Sequence, residues 1–354
     1  MPRIERFFAG SKVEDWMSDS VGASAGGGLQ IVGGESITYT DPGPEGGTIW
    51  VSHTFLASGQ FTVVSGEVDC QVMVCAGGGG SGTQGNFNDS GGAAGGMRVI
   101  TGKTVNTSGG PGGDGVYPVT IGAGGLGYSP GVPGTLPGSP SGWAHPVAVN
   151  ATGGGGGGKY HFPGYAHPAY PSGQAAHGGS GGSGGGAGTP GGNAGTGNAG
   201  GYSPVEGYAG GSVSPNAETS TGSGSGGGAG GAGASPSPYP ITPGGTTGAN
   251  GGAAVANVYR YGPGTPVSYC GGCAGSVNPS YSSTQGSPGG GGAGNNVPTP
   301  PSTPPHGPLT HPRTDNTYNG NADHNSGSAG GSGGNPSGPH AGGSGIVVIR
   351  YPIS

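Results

Sequence analysis

From residue 48 the chain alternates between apolar and polar positions. In TIWVSHTFLASGQFTVVSG, Ile49, Val51 and Phe55, then Phe61 and Val63, recur with a period of two, broken by a turn at Ser58 and Gly59. That period puts alternate side chains on one face of a strand, so two strands joined by a turn are predicted. VDCQVMVCAGG continues the pattern through Val68, Cys70, Val72 and Val74. MRVITGKTV and YPVTI add two more strands, and GIVVIRYP, residues 345–352, closes the chain. The strands lie at about 48–125 and at 345–352, and have no partners except each other. A small antiparallel β-structure joining both chain ends is therefore expected.

Helical signals are confined to the start of the chain. In SKVEDWMS, Ser11 followed by Glu14 fits a capping box, in which each residue satisfies a free backbone N–H of the other. One or two turns there would present Val13, Trp16 and Met17. Residues 1–45 are read as an N-terminal segment that docks on a partner chain, or else as a short exposed helix without a role. Residues 46–354 are read as one glycine-rich domain.

Composition changes the picture between about 77 and 345. The 354 residues include 96 Gly and 34 Pro, with 29% hydrophobic and 7% charged. Such a Gly and Pro content ordinarily signals disorder. Disorder driven by low hydrophobicity normally comes with high net charge, however, and this chain carries only −6. Glycine runs from Gly77, Gly91, Gly109, Gly153, Gly178, Gly226, Gly289 and Gly330 alternate with connectors rich in Tyr, Pro, His, Asn, Ser and Thr. One Gly/Ser run reads as a linker. A series of them joining no recognisable domains reads as packing. A polyproline II helix has three residues per turn and no internal hydrogen bonds, so every N–H and C=O is free for a neighbour. Without side chains, such helices can approach closely enough to bond backbone to backbone. The expected architecture is mostly β and irregular, with a bundle of polyglycine II helices, long surface loops and little or no α-helix.

Several motifs fail on their context. VTIGAGGLG has the dinucleotide-binding spacing at Gly122, Gly124 and Gly127, but the YSPGVPGTLPGSP that follows cannot form the required helix. TGKTV lacks the first P-loop glycine, Met97 standing in its place. Cys270 and Cys273 form a lone CxxC without a second ligand pair, so a disulfide-closed loop or two free thiols is expected rather than zinc. Cys70 and Cys75 fall on opposite faces of one strand and read as packing residues. Of the nine histidines, His161, His167, His306 and His311 sit in Pro-rich connectors without acidic companions, and no metal or other cofactor is expected. No carboxylate pair or activated nucleophile stands out, so no enzyme is expected. Nine scattered Lys and Arg offer no basic face for nucleic acid. No apolar run approaches the about 20 residues of a membrane span. MPRIERFFAGSK does not read as a secretory signal, so work outside a cell would imply another route of release, such as lysis.

The aromatic connectors are the candidate binding surface. Tyr160, His161, Phe162, Tyr165, His167 and Tyr170 crowd one of them, and Tyr202 and Tyr208 occupy another. Tyr offers large contact area at low entropic cost, in binding loops held by a rigid scaffold. The alternative is that these rings staple the glycine helices.

FLASGQFTV, VMVCAGGGGSG, YPVTIGAGG and the terminal GGSGIVVIRYP, in that order, resemble the glycine-rich domain of tail fibres and adhesins of tailed bacteriophages. The resemblance covers about 48–352. It does not extend to residues 1–45, and the four cysteines depart from it. It implies an extracellular virion protein of the tail or fibre, whose polyglycine II sandwich presents loops to a host surface protein or glycan. Other tail proteins would hold the N-terminal segment, and a homo-oligomer is compatible with the pattern. The rival readings are a purely structural fibre or decoration protein, and a secreted cell-surface glycine-rich protein.

Overall fold

The computed structural model describes residues 28–42, 47–82, 89–127, 137–159, 176–188, 191–213, 222–236, 249–276, 322, 324–331 and 340–353. Its strands are β1 (Gln30–Val32), β2 (Glu35–Asp41), β3 (Thr48–Phe55), β4 (Gly59–Ser65), β5 (Glu67–Cys75), β6 (Met97–Asn106), β7 (Val116–Thr120), β8 (Ser141–Trp143), β9 (Val149–Ala151), β10 (Val255–Asn257), β11 (Val267–Tyr269) and β12 (Ile346–Pro352). No helix occurs among the described residues. The helix expected around Val13 lies outside them.

Two antiparallel sheets face each other, in the orders β1-β4-β7-β8-β9 and β2-β3-β12-β5-β6. The C-terminal strand lies between β3 and β5, with Val347 opposite Phe55 on one side and Val74 on the other. Strands from the early part of the described chain, β2 and β3, thus share a sheet with the last one, β12. IVVIRY is an unbroken buried run because both of its faces are covered. One face joins Val51, Val72, Val74, Ile349 and Tyr351 to Phe61, Tyr117, Val119 and Trp143 of the other sheet. The opposite face carries Met73, Cys75, Ile346 and Val348, capped by Tyr259 and Tyr269 of the β10–β11 hairpin region.

Residues 30–41, placed by sequence in the N-terminal segment, supply β1 and β2 to these sheets. Their alternation is hard to see because β2 is an edge strand of Ser, Thr, Ile and Tyr with no fully buried position. Gly109 to Gly115, read as a glycine run like the others, forms the turn between β6 and β7. There Gly110, Gly113 and Gly115 adopt positive φ of 81°, 69° and 74°, a conformation costly for other residues.

Candidate functional site

All junctions between the sandwich and the glycine runs lie at one end of the sheets. Cys75, the last residue of β5, is level with Met97 and Ile346, the first residues of β6 and β12. Thr120 is level with Gly142, and Ser141 with Ala151. At the other end, Ser65 Oγ bonds the Gly28 carbonyl and the Ile353 N–H donates to Ile49. The first and last described residues therefore lie at the end opposite these junctions.

Beyond the junctions the runs bond to one another with a period of three. Ala76, Gly79 and Gly82 donate to Gly96, Ala93 and Ser90; Gly78 and Ser81 donate to Gly343 and His340; Gly77 donates to Ser139. Consecutive residues thus reach different neighbours, and every third returns to the same one. The run that begins at Ser223 behaves alike: Ser223, Gly226 and Ala229 donate to Ser276, Cys273 and Cys270. Gly154 and Gly157 donate to Gly77 and Gly80, so parallel neighbours occur as well as antiparallel ones. A strand would alternate between two directions, whereas the donors of the run from Ala76 reach three different neighbours.

At many positions the space between runs admits no side chain. A Cβ at Gly77, Gly78 or Gly79 would overlap the carbonyl oxygen of Ala123, Ser328 or Gly155, each on a different segment. Backbones closing in on all sides also explain why residues 76–82 are wholly buried although they carry almost no side-chain atoms.

The runs end away from the sheets on a common platform. Six residues beyond Ala76, at about 3.1 Å each, put Gly82 roughly 20 Å from the sandwich. There Ser90 donates to Gly158, Gly158 to Gly186, Gly188 to Ala176, Val213 to Gly192, Ser223 to Ser276, and Gly275 to Ala249. Serines reinforce it: Ser223 Oγ and Ser276 Oγ donate to the Asp89 carbonyl at 3.0 and 2.7 Å, and Ser81 Oγ accepts from the His340 N–H at 3.0 Å. Asp89 and Lys159 are buried here. Burial pulls the Lys159 pKa down, partly offset by the charge of Asp89. Burial likewise pushes His340 down to about 4, and among the described residues neither ring nitrogen meets a hydrogen-bond partner.

Tyr160, His161, Phe162, Tyr165, His167 and Tyr170 lie outside the described residues, as do Val13, Trp16 and Met17. The residues bracketing the first group, Lys159 and Ala176, both belong to the platform. Tyr202 sits elsewhere. It lies in the turn next to the sheets, its ring under the Arg98 guanidinium at 3.8 Å. Buried Glu206 anchors that turn, accepting from Thr152 N at 2.8 Å and Gly200 N at 3.1 Å. Tyr208 is two residues further on, exposed on the flank of the bundle. The structure therefore does not bring Tyr202 and Tyr208 to the platform. Sequence reading also passed over the serines flanking the connectors; the available signal was Ser as the non-glycine residue at a run's edge, in Ser81, Ser90, Ser223 and Ser276.

All four cysteines are buried as thiols, none of them in a disulfide. Cys70 lies in the core between the sheets, and Cys75 on the opposite face. Cys273 Sγ turns to the Gly92 carbonyl at 3.0 Å, so the CxxC forms no closed loop. Among the described residues, no three His, Cys, Asp or Glu converge as a metal site would need.

A family model for a glycine-rich domain matches residues 52–352, from within β3 to the last residue of β12. The chain belongs to this glycine-rich domain family. The match embraces the sandwich and the glycine runs together, and strands and runs alternate along it. A search of curated proteins finds no match for it.

Proposed function

We propose that this glycine-rich domain is a non-enzymatic adhesin of a phage tail fibre or tail tip, holding loops against a host surface protein or glycan on a scaffold of polyglycine II helices. One observation carries the reading. The residues bracketing the connectors gather at the end of the molecule opposite Gly28 and Ile353. A protein anchored by its N-terminal segment to other tail proteins would hold those connectors outward, on a backbone lattice stiff enough to position them. Close backbone packing, with donors spread over several neighbours, supports the polyglycine II assignment.

The test is competition. Purified protein is expected to block adsorption of the phage to its host, and Tyr165→Ala with Tyr170→Ala to abolish the block while leaving the circular dichroism unchanged. A protein that binds no cells and decorates the length of a tail or capsid would be a structural component instead, and one found on a cell envelope would be a secreted surface protein.

A further inference from the structure

The CxxC directs attention to a Cys270–Cys273 pair, but the fold places Cys270 against a different thiol. Cys75 ends β5 and Cys270 follows β11. Both have no exposed surface and belong to one apolar cluster. Gly327 lies against both: a Cβ there would stand 2.7 Å from Cys270 Sγ and 3.4 Å from Cys75 Cβ. Burial raises the Cys75 thiol's pKa well above the ordinary value, with the neighbouring Cys270 thiol adding to the rise, and Cys270 Sγ faces the Gly96 carbonyl at 3.9 Å. Cys270 adopts φ 55°, in the left-handed region. That turns its side chain into the sheet while Cys273, one period on, faces Gly92.

We propose that Cys75 and Cys270 are an oxidation site, joined by a disulfide that ties the central sheet to the glycine lattice once the protein meets an oxidising medium. The oxidant is a low-molecular-weight disulfide such as oxidised glutathione. One cysteine attacks it as thiolate and expels one thiol, and the second cysteine then attacks the mixed disulfide and expels the other. Two protein S–H bonds are lost, one protein S–S bond forms, and two small thiols are produced. Exchange needs a thiolate, and burial disfavours it. The bond therefore forms as the chain folds or during local opening, and slowly in the intact fold. The cross-link closes the chain from residue 75 to residue 270, which restricts the unfolded state more than the short CxxC loop would.

Cyanogen bromide makes the test direct. The four methionines include Met73 and Met97, so cleavage isolates Cys75 on fragment 74–97, away from Cys70 on fragment 18–73 and from Cys270 and Cys273 on fragment 98–354. The full chain is refolded with oxidised glutathione, its remaining thiols are alkylated, and it is cleaved without reduction. Fragment 74–97 is expected to stay joined to 98–354, and fragment 18–73 to come free with Cys70 alkylated. The join should survive in Cys273→Ser and vanish in Cys270→Ser. The oxidised wild type should unfold in denaturant at least tenfold more slowly than its reduced form, and Cys70→Ser should retain that difference. Fragments that all separate, a join that depends on Cys273, or equal unfolding rates in the two redox forms would overturn the proposal. Tandem mass spectrometry of the joined wild-type fragments, which shows whether the alkylated cysteine is Cys273 or Cys270, identifies the partner, so a variant that fails to fold leaves the outcome readable.

Discussion

Individual glycines within one run are not equivalent. At Gly226 a Cβ would overlap the Gly92 carbonyl oxygen, whereas at Gly231 it would rest in ordinary contact 3.6 Å from Ala253 Cβ. Gly226→Ala is expected to cost roughly 3 kcal/mol or more, because backbone cannot rotate out of the way as a side chain can. Gly231→Ala should change stability by less than about 1 kcal/mol, offset by the reduced freedom of the unfolded chain. Denaturant unfolding of both variants checks the contrast. GGGAGGAG shows that side chains are excluded somewhere, but only the neighbours reveal which positions are crowded. His340 makes the second prediction at this scale. Its folded pKa of about 4 lies below the ordinary 6.5. The folded protein then binds fewer protons than the unfolded chain between those values, and stability falls as pH falls through that window, by up to about 1.4 kcal/mol per pH unit. His53 acts in the same direction, lowered by burial against the opposing pull of its hydrogen bond to the Gly33 carbonyl. His340→Gln should flatten the acid side of the stability profile in part, with the remainder attributable to His53 and other groups.

Among the elements, β12 is the central strand of its five-stranded sheet. It bonds to β3 and β5 at once, and its Arg350 is packed between the rings of Trp50 and Tyr259 while donating to Gln71 Oε1 and Tyr39 Oη. Removing residues 346–354 would bare both neighbouring strands and open the core, so the truncated chain is expected to be insoluble or to lose its cooperative unfolding transition. Expression and thermal unfolding beside the full chain would show this. The strands from β3 to β7, and β12, were legible because alternation or an apolar run marks them. β8 to β11 were not: three residues apiece give too few positions for a period, and SGW and VAN acquire their place only from the strands they pair with. Arg350 was equally hidden, since nothing local distinguishes a stacked arginine from an exposed one.

Across the whole molecule, sequence spacing foretold the pairing of early strands with the last one and the packing role of glycine, because both follow from excluded volume and backbone hydrogen-bonding capacity. It did not foretell the polarity of the molecule. Tyr202 and Tyr160 look alike on the page, yet Tyr202 lies against the sheets and the connector containing Tyr160 departs from the platform's residues. The rule that donors return to the same neighbour every third residue also limits how such a protein can change. Adding or deleting one or two residues inside a run would turn every later amide by a third of a circle, away from its acceptor. Only whole triplets preserve the alignment, so insertions that endure should come in threes within the scaffold and in any number between its ends.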